Sequence, residues 1–102
     1  MIILSAKAQL FVQAAVKATK TAPLVAEAEA LGPDPWSHPL TAQATKIAIE
    51  ALREMEMNIR DRLGNPEVND NEHADLVNDL GYAAAVRYDL EQNIRIESQA
   101  MP

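Results

Sequence analysis

The chain has 102 residues, no Cys, only four aromatic side chains and a formal charge of -6. The absence of Cys excludes a disulfide framework, a thiolate nucleophile and cysteine-based zinc or iron–sulfur sites. All 15 acids lie after residue 22, whereas residues 1–22 carry only Lys7, Lys17 and Lys20, a balance that argues against general nucleic-acid binding and favours a basic partner or none.

A length of this order suits one small domain, 1–102, that hides roughly 65% of the surface of the extended chain. Eighteen residues are Ala, the best helix former and one that lets helices approach closely, so an all-α fold is expected. Ser5 is placed to cap a first helix in which Phe11, Ala15, Ala18 and Ala22 recur at helical spacing. Pro23 predicts either a kink or a fresh start at Thr21, with helix continuing to about Leu31.

The segment from Gly32 to Pro39 holds three prolines and is expected to form a stiff corner. Ser37 is the expected cap of a second helix, with Pro39 in its first turn. That helix should end at Leu63, stopped by Gly64 and kept from restarting by Asn65-Pro66. Ala44, Ile47, Ala48, Ala51, Leu52, Met55 and Ile59 form its apolar stripe. A polar loop with Val68 as its anchor leads to a third helix, capped by Asp70 or Asn71 and reaching about Ile96. Its stripe is Leu76, Leu80, Ala83, Leu90 and Ile94, widened by Val77, Ala84 and Tyr88 and interrupted by Gly81. The expected architecture is an elongated bundle of three main helices, with the second and third forming an antiparallel hairpin.

Arg87 falls in the middle of this last stripe and His73 and Glu91 at its edge, where burial alone would not place them. One reading is an Arg87–Glu91 i,i+4 pair over the rim of the core; the other is a polar cluster at a subunit interface or ligand site. Trp36 is expected to lid the end of the bundle or to anchor an interface. The face of Phe11, Ala15 and Ala18 is expected to be core, with any uncovered part closed by self-association.

Carboxylates gather at Glu50, Glu54 and Glu56 and again at Glu72, Asp75 and Asp79. Glu72-His73-Ala74-Asp75-Leu76 is loosely similar to the Glu-x-x-Asp element of the all-α MazG-like nucleoside triphosphate pyrophosphohydrolases, over residues 46–90. The resemblance implies magnesium held by two acidic pairs on neighbouring helices, here Glu50, Glu54, Glu72, Asp75 and Asp79. The first pair departs from the family's Glu-x-x-Glu, since this chain has Glu50-x-x-x-Glu54. Helical projection also sets Glu50, Glu54, Asp75 and Asp79 off the apolar stripes, which favours a solvated acidic face.

The expected function is a non-enzymatic helical protein–protein interaction module. It is expected to be homo-oligomeric and cytoplasmic, to use no cofactor or metal, and to have no direct nucleic-acid or membrane partner. An acidic inhibitor of a basic protein is a sharper form of the same reading. The alternatives are the magnesium-dependent pyrophosphohydrolase and a helical oligomer that sequesters a small ligand through Arg87 and a lysine across a subunit seam.

Overall fold

The computed structural model describes residues 2–100, with side chains described as far as Asn93. The described residues form four α-helices and a 3-10 turn: α1 (Ala6–Ala18), α2 (Ala22–Ala30), the turn Pro35–Ser37, α3 (Ala42–Leu63) and α4 (Asp70–Ala100). The all-α expectation holds with one more helix than predicted, because Pro23 produces a fresh start rather than a kink. Thr19 leaves the helical conformation at φ -64 and ψ 139 and Thr21 is likewise extended, so Pro23 occupies the first turn of α2, where its missing N–H costs no helical bond.

Ser5 caps α1 as expected, its Oγ accepting the Ala8 N–H at 3.2 Å. Gly32 follows α2 at φ +86, the left-handed conformation that ends helices and that glycine adopts without steric cost. The second cap lies elsewhere than predicted. Pro39 keeps the preceding His38 extended, at φ -111 and ψ 164, and the Leu40 N–H donates to the Ile2 carbonyl at 2.8 Å. Helix therefore cannot begin at Ser37, whose hydroxyl instead bonds Asp34. Thr41 takes the role, its Oγ1 accepting from the Ala44 N–H at 3.0 Å.

α3 is the central strut. Ala44, Ile47, Ala48, Ala51 and Leu52 are buried along it, between α1 on one flank, α2 on another and α4 on a third. Full burial of Ile47 or Leu52 contributes about 1.5–3 kcal/mol each. Met55 is only half-buried. α3 ends where predicted, but Gly64 is right-handed at φ -76, so Pro66 rather than a left-handed glycine prevents continuation.

α4 returns antiparallel to α3 after a short loop. Its cap is Asn69 instead of Asp70 or Asn71: Asn69 Oδ1 accepts the Glu72 N–H at 2.8 Å. Among the described side chains of α4, Ala83, Val86 and Leu90 are buried. Val77 and Tyr88, expected to widen this stripe, are 47% and 58% exposed, because α1 and α3 both approach α4 from the other side. Ile94, also assigned to the stripe, lies outside the residues with described side chains. Residues 60–82 contain no buried side chain; there α3 and α4 form a two-helix arm that α1 meets only at its base, through Tyr82, contributing to a long axis of 50 Å against 26 and 22 Å.

Among the described residues no helix is long and apolar enough to cross a membrane.

Candidate interaction surfaces and the charged seam

The functional candidates sort into a charged seam, a capped junction and two apolar sites. The seam lies between α3 and α4. The antiparallel register puts Glu56, one turn from Leu52 and Ile59 on the inward face of α3, opposite Arg87. Glu56 is 3% exposed, and its two carboxylate oxygens accept from Arg87 Nε at 2.5 Å and Nη2 at 3.2 Å. Arg87 Nη1 also donates to Glu91 at 3.1 Å, and Glu91 is bonded by Arg53. The Arg87–Glu91 pair is thus part of a chain of four charges that neutralise one another.

These bonds shift the groups in the expected directions. Hydrogen bonding to Glu56, helped by Glu91, raises Arg87 above its ordinary value against the cost of burial. Burial works to raise Glu91, but the hydrogen bonds and charges of Arg53 and Arg87 outweigh it and hold the carboxyl below the usual range. No buried side-chain nitrogen or oxygen among the described residues lacks a partner, so the seam presents no unsatisfied group to a ligand. Glu56 belongs to this site, whereas the sequence named it only among the carboxylates of that helix. The available signal was its position in the apolar stripe of α3, four residues after Leu52 and three before Ile59.

The second site is the break between α1 and α2. Glu54 accepts from the Thr19 hydroxyl, from the Lys20 N–H at 3.0 Å and from the Thr21 hydroxyl at 3.3 Å. The Thr19 bond, then the Lys20 N–H, lower its carboxyl below the usual range despite desolvation. Glu54 therefore serves as a cross-helix cap for the exposed N–H groups of the junction. A carboxyl whose folded-state value is depressed stabilises the fold above the unfolded value of about 4.3, and that contribution fades as pH falls through the folded value. Glu54→Gln is expected to cost about 1 kcal/mol at pH 7. Urea unfolding should show the gap to the parent closing below about pH 4; an equal gap at both pH values would contradict the assignment.

The first pair of the suggested metal set, Glu50 and Glu54, shares a groove of about 490 Å³ between α2 and α3 with Lys46 and Arg53. The second set lies elsewhere: Glu72 is paired with Arg62 at 2.8 Å, and Asp75 and Asp79 are exposed. With Glu56 fixed opposite Arg87, the level of Glu54 is roughly 20 Å along α4 from Asp75 at 1.5 Å per residue. Among the described residues no three His, Asp or Glu side chains are grouped so as to hold a metal ion.

Of the interface candidates, Ala15 and Trp36 are buried and Phe11 is half-buried against Tyr82, with ring centroids 4.5 Å apart. Lys7 Nζ lies 4.4 Å from the centre of the same Tyr82 ring, a cation–π contact that joins α1 to α4. Phe11, Ala15 and Trp36 thus serve the chain's own core. Ala18 and His73 are exposed, Ala18 beside an apolar notch of about 170 Å³ lined also by Ala15, Met55 and Ile59. Arg87 and Glu91 lie in the seam.

The chain matches no family model, and no protein of curated function and no solved structure is significantly similar to it.

Proposed function

We propose that this chain is a non-enzymatic helical interaction module that assembles with itself. The observation that carries this reading is the set of large apolar side chains left outside the core: Ile3, Leu10, Met57, Val77 and Tyr88 are all exposed, on a chain whose core is rich in Ala. Apolar residues scattered singly are ordinary, but an arm without one buried side chain gains most from a partner's surface. The carboxylates that would serve the hydrolase alternative are divided between two ends of the hairpin, and two of the five, Glu54 and Glu72, are engaged in a cap and an ion pair. They give that alternative less support.

A basic protein partner is the second reading, favoured by the end of the hairpin, where Glu67, Asp70, Asp75 and Asp79 are exposed with no Lys or Arg between residues 63 and 86. The two readings separate by concentration and salt. Sedimentation velocity on the purified chain should show a dimer or higher oligomer that strengthens with concentration. A monomer at every concentration, with capture of a basic protein that weakens steeply as salt rises, would replace self-association by the second reading.

A further inference from the structure

We infer that two copies of the chain pair about a two-fold axis, the basic outer face of α1 in each lying on Asp75 and Asp79 of the other; the inference rests on the self-association reading. α1 meets α4 through Tyr82, which carries Phe11 and Lys7, and through Val86, which shares a groove with Leu4 and Ala8. At 100° per residue, Asp75 and Asp79 fall within about 60° of Tyr82 and Val86. They continue the same side of α4 past the edge of α1, and both are exposed.

The bare stretch has the dimensions of one helix. At 1.5 Å per residue, the midpoint of Asp75 and Asp79 lies about 10 Å along α4 from the midpoint of Tyr82 and Val86, the spacing of two helices packed side by side. α1 therefore stands on the hairpin as a step, with room for one more helix beside it. A second copy, turned over about an axis running across the hairpin, sets its own α1 into that room while the first α1 enters the matching room of the second copy. The arm, which has no buried side chain of its own, is covered in both.

Charge selects the occupant. Opposite the buried Ala8, Val12 and Ala15, the outer face of α1 consists of Lys7, Leu10, Ala14 and Lys17, which fall within about 80° of one another and are all exposed. This face holds no acid, and at its centre Leu10 is 65% exposed. The arm has the opposite sign. Asp75 and Asp79 make no ion pair among the described residues, and Arg62, which shares a face of α3 with Met55 and Ile59, is taken up by Glu72. Lys7 rests on the Tyr82 ring, but a cation–π contact leaves its charge in place. The net charge of -6 opposes a random encounter of two copies. This pairing instead sets the acid-free segment of each against the stretch of the other that has no Lys or Arg, and does so twice.

The test exchanges the charges. One variant is Asp75→Lys/Asp79→Lys, the other Lys7→Glu/Lys17→Glu; all four positions are exposed, so circular dichroism and Trp36 fluorescence should show both variants folded. In sedimentation velocity the parent dimer should weaken as salt rises, and each variant alone should dimerise about tenfold or more weakly than the parent. An equimolar mixture of the two variants should recover dimerisation, because the mixed dimer carries opposite signs at both contacts. If either variant dimerises as the parent does, or if the mixture recovers nothing, this surface is overturned while self-association stands. A parent chain that stays monomeric at high micromolar concentration would overturn both.

Discussion

Replacing Trp36 by Ala is expected to cost about 3–5 kcal/mol, the largest single loss a side-chain truncation should produce here. Trp36 is 5% exposed, and its turn packs against α1 beside Val16 and Lys17. The ring belongs to the same buried cluster as Val12, Ile47 and Leu52, and its removal would leave a cavity that the surrounding structure relaxes into only partly. Small domains have total stabilities of roughly 5–15 kcal/mol, so the variant should be partly unfolded at 37 °C. Because the substitution removes the only Trp, the measurement is helical circular dichroism against temperature. A loss under about 1 kcal/mol would mean that the corner is not part of the cooperative core.

Breaking the seam should be nearly as costly. Arg87→Met leaves the buried Glu56 carboxylate without its guanidinium, and removing one partner of a buried pair typically costs about 3–5 kcal/mol. Because the Arg87 side chain is 24% exposed, solvent relieves part of that penalty and the expected loss is about 2–3 kcal/mol. This corresponds to a fall in Tm of roughly 10–20 °C for a domain of this size. The double variant Glu56→Leu/Arg87→Met should recover most of the loss, since apolar residues of similar volume replace the pair without desolvating a charge. A double-mutant cycle by thermal unfolding gives the coupling directly. If the double variant is as unstable as Arg87→Met alone, the charges are not what the seam depends on.

The seam also orders the rest of the molecule. Apolar burial is non-directional, whereas Glu56 meets Arg87, and Glu91 meets Arg53, in a single register. Arg62–Glu72 repeats the selection near the loop, at the surface, where an ion pair adds at most about 1 kcal/mol. The register in turn decides which face of α4 points outward, and with it the position of Val77, Gly81 and Tyr88.

The sequence by itself determined the helical class, the cap at Ser5, the end of α3 at Leu63 and the apolar stripe of α3, because these depend on spacing, propensity and Pro within a few residues. It also marked Arg87 and Glu91 as misplaced for simple burial. What it could not determine was anything that required knowing which neighbour lies on which side of a helix. Glu56 looked like one acid among several until the register of α4 set Arg87 against it. Glu54 looked solvated until the break at Thr19–Thr21 turned its N–H and hydroxyl donors toward α3. Ser37 had the chemistry of a cap, but the long-range Ile2–Leu40 bridge held its helix back to Thr41. Val77 and Tyr88 matched a broad core stripe by period alone, yet α1 and α3 occupy one side of α4 only. A periodic pattern gives the angle between side chains on a helix; the direction from which other helices arrive is a property of the packed chain.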